Sequence, residues 1–278
     1  MSWGSWGKKL TTKEMTNLIE HCIANAITTF DHADIYGAYT TEADFGKALT
    51  ASNTIKRKDI QLISKCGIQY MCENRSNNVK HYNYNKDYII WSVERSLKNL
   101  NTDYLDLLLL HRPSPLMRAN EIAEAISILK HQGKIKRFGV SNFTPSQMRM
   151  IETTIKIDVN QIEFSLTEHS AMHDGTLDYM IINKIRPMAW SPLGSVFREN
   201  NEQTRRIYKQ LSDLKDKYSA SEDELLLAWT LTHPAAIYPV VGTTNKTRLQ
   251  RAIKASKIKL ELEDWFLILV ASQGHKVP

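Results

Sequence analysis

The chain has few of the features that stabilise secreted or membrane-bound proteins. Its three cysteines, Cys22, Cys66 and Cys72, are an odd number and too few for a disulfide framework, and their spacing matches no zinc motif. We therefore expect reduced thiols, a cytoplasmic protein and no metal site. The apolar run at residues 265–271 is far shorter than the roughly 20 residues that a membrane-spanning helix needs. The first ten residues lack the apolar segment of a signal peptide.

Blocks of like charge are also missing. The net charge of +6 comes from 36 basic and 30 acidic residues that are mostly interspersed. This balance suits an anionic small ligand, and without a nucleic-acid-binding motif we expect no nucleic-acid partner. No Gly-x-Gly-x-x-Gly turn follows a strand-like run, and no Walker sequence is present. If the protein binds a nucleotide, it does so without a Rossmann turn or a P-loop.

Short apolar runs alternate with amphipathic helical patterns along the whole chain. Capping boxes predict helix starts at Thr11 and Thr144, and we expect Asp87 to cap a third helix. Seven strand-like runs lie at residues 28–31, 60–64, 105–110, 138–140, 159–162, 187–190 and 237–241. Strand–helix alternation indicates a parallel sheet, and the length suits a single barrel of about 250 residues. We predict an α/β fold, a (β/α)8 TIM barrel that forms one domain over residues 1–278, with a doubly wound sheet as the alternative. Only residues 1–7 precede the first helical pattern, so we expect a truncated first strand.

Polar side chains follow these runs, where barrel enzymes carry their chemistry. Four of them combine an acid, a phenol, an amine and an imidazole: Asp31, Tyr36, Lys65 and His111. Each alone has a structural explanation, such as a turn residue or a surface lysine, and only their joint position favours a site. A Lys ammonium favours ionisation of a nearby phenol and makes it a better proton donor. An acid holds the ammonium in place, and an imidazole orients a carbonyl oxygen. The set suits reduction of an aldehyde or ketone.

Seven motifs, in order and over nearly the whole chain, resemble those of the aldo-keto reductases, in particular the bacterial general oxidoreductase branch. They are Asp31-His-Ala-Asp-Ile-Tyr36-Gly37, Ile63-Ser-Lys65, Leu109-Leu-His111-Arg-Pro113, Gly139-Val-Ser-Asn-Phe143, Asn160-Gln-Ile-Glu163, Ala189-Trp-Ser-Pro-Leu-Gly194 and Gly242-Thr-Thr-x-x-x-Arg248. The resemblance implies that Tyr36 is the general acid, that Lys65 lowers its pKa, and that Asp31 pairs with the lysine. It also implies that His111 orients the carbonyl group. Asp34 lies at the wrong offset for any of these roles, so we expect it to be structural.

The resemblance further implies a nicotinamide cofactor. Its binding residues would be Ser141, Asn142 and Gln161 at the carboxamide, Trp190 stacked on the ring, Ser191, Leu193 and Gly194 along the pyrophosphate, and Gly242, Thr243, Thr244 and Arg248 at the adenosine 2′-phosphate. Thr244 or Asn245 caps a helix that carries Lys246 and Arg248 in its first turn, which is a favourable place for a phosphate. We therefore predict NADPH rather than NADH.

Residues 67–86 form a long segment, rich in tyrosine and asparagine, between a strand-like run and its helix. A segment of this length at a barrel mouth favours a substrate lid. We predict a monomeric NADP-dependent aldo-keto reductase (EC 1.1.1.-) that acts on a small carbonyl compound. Two alternatives remain: a class I aldolase-like enzyme with a Schiff base on Lys65, or a non-catalytic regulatory protein that binds NADPH.

Overall fold

The structure is a computed structural model that describes residues 3–278. The chain divides into two compact units, Met1–Asn160 and Gln161–Pro278. The single-domain organisation stays a prediction. The expected first strand falls partly on Met1 and Ser2, which lie outside the described residues. Residues 3–8 form turns and contain no strand.

The first unit contains a set of parallel strands and one small hairpin. In chain order its strands are β1 (Thr29–Asp31), β2 (Gln61–Cys66), β3 (Ile68–Gln69), β4 (His81–Tyr82), β5 (Leu105–Leu110) and β6 (Ile135–Ser141). Strands β1, β2, β5 and β6 are hydrogen-bonded neighbours in that order, and each pair is parallel. Five of the six β5 side chains are buried, as expected for a parallel strand covered on both faces. Strands β3 and β4 pair antiparallel and were not predicted.

Six helices accompany these strands. They are α1 (Thr12–Ala24), α2 (Tyr36–Tyr39), α3 (Thr41–Thr50), α4 (Lys86–Leu100), α5 (Ala119–His131) and α6 (Pro145–Glu152), with a 3-10 turn at Arg57–Asp59. Thr11 and Thr144 cap α1 and α6 through the predicted capping boxes. The prediction that Asp87 caps α4 was wrong. Asn85 accepts a hydrogen bond from the Tyr88 N–H there, and Asp87 lies in the first helical turn.

The second unit continues the alternation. Its strands are β7 (Val159–Glu163), which begins two residues before the unit boundary, β8 (Arg186–Trp190) and β9 (Tyr238–Pro239), in the order β7-β8-β9. Its helices are α7 (Thr176–Ile182), α8 (Glu202–Tyr218), α9 (Glu222–Thr232), α10 (Lys246–Ala255) and α11 (Leu262–Gln273), with a 3-10 turn at Ser170–Met172. The indole rings of Trp229 on α9 and Trp265 on α11 stack with centroids 5.0 Å apart. Among residues 3–278, no helix combines the length and apolarity needed to cross a bilayer.

All seven strand-like runs of the sequence coincide with strands of the parallel set. Their bounds differ by up to three residues, most at β6, because hydrogen bonding rather than apolarity ends a strand. Helix α3 was not predicted, since its buried face includes Thr41, Glu42 and Gly46 beside apolar side chains.

Gly46 tests how closely α3 packs on α4. A Cβ atom on this residue would lie 2.1 Å from the Asn99 carbonyl oxygen and 3.0 Å from the Leu100 Cα. Helix propensity alone predicts that Gly46→Ala stabilises the protein by about 1 kcal/mol. Because the obstacle is backbone, we expect destabilisation by about 1–3 kcal/mol instead, measured by urea unfolding. The control, Ser127→Ala on the exposed face of α5, should change stability by less than about 0.5 kcal/mol. A more stable Gly46→Ala protein would contradict this packing.

Candidate active site

The ends of three neighbouring strands bring the central residues together. In the parallel register, Asp31 at the end of β1 aligns with Ile63 in β2, and Lys65 in β2 aligns with Leu109 in β5. The His111 N–H extends this ladder by donating to the Cys66 carbonyl oxygen at 2.9 Å. Since the strands are parallel, their carboxyl ends lie at one edge of the sheet. That edge carries the predicted acid, amine and imidazole side by side.

The Lys65 ammonium is the centre of the site. Its Nζ donates to Asp31 Oδ2 at 2.7 Å, to the His32 carbonyl oxygen at 2.8 Å and to Tyr36 Oη at 3.2 Å. The Lys65 side chain is only 1% exposed. Burial favours the neutral amine, but the Asp31 carboxylate and the Tyr36 hydroxyl outweigh it and raise the pKa of Lys65. The amine is therefore protonated.

Tyr36 begins a tight turn rather than a regular helix. Within α2, Gly37 and Ala38 have φ angles of 60° and 54°, in the left-handed region. A Cβ on Gly37 would lie 2.4 Å from Thr41 Oγ1, so this position needs glycine for its space as well as its φ. The Thr40 hydroxyl donates to the Gly37 carbonyl oxygen at 2.7 Å. The turn directs the Tyr36 hydroxyl to Lys65.

The pKa of Tyr36 differs from the sequence expectation. Burial raises the pKa of this phenol, and the neighbouring Lys65 ammonium lowers it by a smaller amount. Lys65 therefore lowers the pKa of Tyr36 as expected, but burial raises that pKa by more, so the net shift is upward. The reason is that burial penalises the phenolate before any charge is considered. Tyr36 is consequently a protonated phenol whose ionised form would be stabilised by the adjacent ammonium.

His111 is a neutral imidazole beside this phenol. The rings of His111 and Tyr36 meet edge to face, with centroids 5.8 Å apart. Burial, and then the charges of Lys65 and Arg112, lower the pKa of His111 well below its usual range. Within residues 3–278, the buried His111 Nδ1 atom has no hydrogen-bond partner. A neutral imidazole at this position is suited to hydrogen-bond a carbonyl oxygen.

Asp34, in contrast, is buried in a network of its own. Its Oδ1 accepts from the Ile35 N–H at 2.6 Å, and its Oδ2 accepts from the Ser92 hydroxyl at 3.1 Å. Burial and the charge of Glu42 raise the pKa of Asp34 to about 8. These contacts hold the backbone just before Tyr36, in agreement with the structural role expected for Asp34.

The first two predicted cofactor residues end β6 in the first unit. Ser141 is buried, and its Oγ accepts a hydrogen bond from Asn142 Nδ2 at 2.8 Å. Asn142 has a φ of 61°, which asparagine tolerates better than most residues and which turns the chain sharply after the strand. The pair presents polar side chains at the end of the strand, as the sequence predicted.

The second unit carries the other predicted cofactor residues within or after its three strands. Gln161 lies buried in β7, and Trp190 is the half-buried last residue of β8. A tight turn follows β8, in which the Gly194 N–H donates to the Ser191 carbonyl oxygen at 2.7 Å and leaves Leu193 half-buried. Gly194 has a φ of 55°, and a Cβ there would lie 2.1 Å from Thr167 Oγ1. The turn thus has a fixed and closely packed backbone.

The start of α10 offers a site for an anion. Asn245, and not Thr244, caps this helix: its Oδ1 accepts from the Arg248 N–H at 3.1 Å, while its own N–H donates to Thr243 Oγ1 at 3.1 Å. Lys246 and Arg248 lie exposed in the first turn, which has no acidic residue. A Cβ on Gly242 would touch no atom of the described residues within 4 Å. Positive charge, free N–H groups and open space fit a phosphate.

One functional atom escaped the sequence analysis. The His32 carbonyl oxygen is the third acceptor of the Lys65 ammonium, and backbone atoms leave no signal in the residue pattern. Tyr39 was also missed; it is the last residue of α2 and has a positive φ angle of 69°. Among residues 3–278, no group of three or more His, Cys, Asp or Glu side chains is placed to hold a metal ion.

Comparison with known proteins matches this arrangement to one family. The profile of the Aldo/keto reductase family matches residues 1–269. An uncharacterized oxidoreductase of Bacillus subtilis, YcsN, is 48% identical over 271 residues, which are 95% of this chain and 90% of that protein. A 6-dehydroglucose reductase of Agrobacterium fabrum is 38% identical over 264 residues, 93% of this chain and 88% of that protein. The chain therefore belongs to the aldo/keto reductase family.

A solved structure supplies the fold. A thermostable aldo-keto reductase, crystallised with the inhibitor epalrestat, superposes with a TM-score of 0.80 at 26% identity and covers 97% of this chain and 93% of that one. The likeness confirms the (β/α)8 barrel class and excludes the doubly wound alternative. The chain is accordingly an oxidoreductase of the aldo-keto reductase barrel type.

Asp34 predicts a pH dependence of stability. Its pKa is about 8 in the folded protein and roughly 4 in an unfolded chain, so the folded state binds more protons between these values. Stability should therefore fall as the pH rises from roughly 4 to 8, by at most about 1.4 kcal/mol per pH unit from this group. Asp34→Asn mimics the protonated acid and should remove this slope.

The measurement is the free energy of urea unfolding at several pH values. Glu42, Arg75 and Tyr88 also face Asp34 and are common to both proteins, so the difference between variant and wild type isolates Asp34. An Asp103→Asn control, at an exposed position before β5, should follow the wild-type slope. A difference between Asp34→Asn and wild type that stays constant over this range would contradict the assignment.

Proposed function

We propose that the protein is an NADPH-dependent reductase that converts a small aldehyde or ketone to an alcohol, with Tyr36 as the proton donor. The observation that carries this proposal is the Lys65 ammonium, which joins the Asp31 carboxylate to the Tyr36 hydroxyl at 2.7 and 3.2 Å. His111 lies edge-on to the same phenol. A half-buried proton donor, a cation that stabilises its conjugate base and a neutral hydrogen-bonding group together suit protonation of a developing alkoxide.

Each side chain has a separate task in this proposal. The neutral His111 imidazole hydrogen-bonds the carbonyl oxygen and orients the substrate. Tyr36 Oη transfers its proton to that oxygen as negative charge develops there, and the phenolate left behind is stabilised by Lys65. Asp31 keeps the ammonium charged and fixed. Because burial raises the pKa of Tyr36, the phenol holds its proton until a more basic oxygen appears.

The residues at the strand ends fit a phosphorylated dinucleotide. NADPH, when bound, supplies the hydride that reduces the carbonyl carbon. Ser141, Asn142 and Gln161 would hold its carboxamide, and Trp190 would pack on its ring. The turn containing Ser191, Leu193 and Gly194 would lie along the pyrophosphate, and Gly242, Thr243, Thr244 and Arg248 would receive the 2′-phosphate. The helix start at Asn245 supports this, since it combines free N–H groups with two cations.

The substrate is proposed only as a class. The 6-dehydroglucose reductase from Agrobacterium supports a carbonyl substrate, because its name states such a reduction. The aromatic side chains of Tyr39, Tyr70 and Tyr82 pack around the Ile68 end of residues 67–86, beside Tyr36. These apolar surroundings favour a small-molecule substrate and support the lid predicted for residues 67–86. Monomeric state and cytoplasmic location stay predictions.

The Schiff-base alternative is less well supported by the site. An amine nucleophile must lose its proton, which requires a lowered pKa. Lys65 has a raised pKa and three hydrogen-bond acceptors, so it is held as an ammonium. Borohydride trapping of Lys65 with a carbonyl compound would favour the aldolase-like alternative. A regulatory NADPH-binding protein would instead bind the cofactor and show no activity that depends on Tyr36.

Removing the Tyr36 hydroxyl tests the proton donor. We expect Tyr36→Phe to lower kcat by about a hundred- to ten-thousandfold, because the general acid is lost while the ring remains. Stopped-flow oxidation of NADPH against a panel of aldehydes and ketones measures this, and quenching of tryptophan fluorescence measures cofactor binding, which should be unchanged. The control, Tyr208→Phe on the exposed face of α8, should behave as wild type. Full turnover by Tyr36→Phe would reject the assignment.

Arg248 tests the preference for NADPH. Its side chain would form a charge-assisted contact with the 2′-phosphate, so Arg248→Ala should weaken NADPH binding about ten- to a hundredfold. The dissociation constant for NADH, which lacks that phosphate, should not change. The control is Lys257→Ala, an exposed cation beyond the end of α10, which should affect neither cofactor. Equal weakening for both cofactors would place the 2′-phosphate elsewhere.

A further inference from the structure

Two tyrosine hydroxyls tie the segment between β2 and α4, residues 67–85, to the backbone beside the central residues of the site. One belongs to Tyr39, which ends the turn that Tyr36 begins. The other belongs to Tyr84, which bonds the residue that follows His111. Neither contact is part of the proton-transfer chemistry proposed above.

Tyr39 joins the catalytic turn to the beginning of the segment. Its hydroxyl donates to the Ile68 carbonyl oxygen at 3.1 Å and accepts from the Tyr70 N–H at 2.9 Å. Its ring lies under the Arg75 guanidinium, with the carbon of that group 4.2 Å from the ring centroid. One hydroxyl thus satisfies an acceptor in β3 and a donor in the residue after it, both of which would otherwise need other partners.

Tyr84 joins the end of the segment to the strand end that carries His111. Its hydroxyl donates to the Arg112 carbonyl oxygen at 2.5 Å and accepts from the Arg112 N–H at 3.1 Å. Its buried ring also packs on Gly67, where a Cβ would lie 2.0 Å from a ring carbon. The end of the segment therefore packs on its first residue, Gly67, which directly follows Lys65 and Cys66 of β2.

These contacts hold a backbone turn that is conformationally strained. Ala38 and Tyr39 have φ angles of 54° and 69°, which L-residues other than asparagine and aspartate seldom adopt. Such residues cost about 1–3 kcal/mol each and persist only where their surroundings hold them in place. The Tyr39 hydroxyl contributes to that restraint by donating one hydrogen bond and accepting another. Without them the turn would relax, and Tyr36 Oη would move relative to Lys65.

We propose that Tyr39 and Tyr84 are positioning residues for the reduction: their hydroxyls make residues 67–85 a brace that sets the spacing of Tyr36 and His111. Tyr39 acts through the turn and Tyr84 through the Arg112 peptide. This inference rests on the proposed function, since it assigns the placement of the proton donor and of the carbonyl-orienting imidazole. In this proposal, residues 67–85 position Tyr36 and His111 in addition to covering the substrate.

The variants Tyr39→Phe and Tyr84→Phe remove one hydroxyl each and keep the rings that contact Arg75 and Gly67. We expect each to lower kcat about ten- to a hundredfold, because a small misplacement of reacting groups has effects of this size. The NADPH dissociation constant should stay near wild type, and the melting temperature should fall by only a few degrees, because each variant leaves a backbone donor and a backbone acceptor without the hydroxyl. The primary isotope effect with NADPH deuterated at the transferred position should increase, as chemistry becomes slower. The control, Tyr104→Phe at the other end of β5, should show none of these changes.

Double-variant cycles separate positioning from a general loss of structure. If Tyr39 acts through Tyr36, then Tyr39→Phe should have almost no further effect in a Tyr36→Phe background, measured by single-turnover hydride transfer. Tyr84→Phe should likewise lose most of its effect in a His111→Asn background. Equal fold-losses in wild-type and variant backgrounds would overturn the inference, as would unchanged kcat in both single variants.

The failure of this inference is distinct from the failure of the proposed function. If turnover requires the Tyr36 hydroxyl but neither the Tyr39 nor the Tyr84 hydroxyl, only the brace is overturned. Turnover that is indifferent to Tyr36→Phe overturns the proton donor and the brace together.

Discussion

The organisation of the site depends on one buried cation. An ammonium taken out of water is unfavourable by several kcal/mol unless opposite charge and hydrogen-bond acceptors surround it. Lys65 meets this condition with a carboxylate from β1, a carbonyl oxygen from the residue after β1 and a phenol from the following turn. The same set of contacts that makes the lysine tolerable inside the protein places an acid, a phenol and a cation within reach of one another.

The turn that carries Tyr36 illustrates how this chemistry is held in place. Left-handed φ angles at Gly37, Ala38 and Tyr39 aim the phenol inward, at a cost in backbone energy. That cost is offset by hydrogen bonds from Thr40 and Tyr39 and by packing against the segment of residues 67–85. A segment that the sequence predicts to be a lid thus also makes hydrogen bonds to the turn that carries Tyr36. The backbone strain in this turn is offset by hydrogen bonds to residues about 30 positions later in the sequence.

The parallel strands were predictable because their apolar runs are continuous and end at polar residues. Capping boxes at Thr11 and Thr144 located two helix starts correctly, since both partners of a box are visible in the sequence. Helix α3 was missed because three of its buried residues are polar or glycine. The cap of α4 was assigned to Asp87 instead of Asn85, as both types cap helices well and only backbone geometry distinguishes them. The hairpin of β3 and β4 has two residues in each strand, too few for any periodicity.

The sequence by itself determined which side chains lie at the candidate site: an acid, a phenol, an amine and an imidazole at or after strand ends, in an order that marks the family. It also indicated that three of these residues lie at one edge, because the carboxyl ends of parallel strands meet there. Only the tertiary structure decided their protonation. Burial raises the pKa of Tyr36 despite Lys65 and lowers that of His111, and burial depends on what every neighbouring element covers. The third acceptor of Lys65 and the two bracing hydroxyls likewise depend on backbone positions in space, which residue identities do not encode locally.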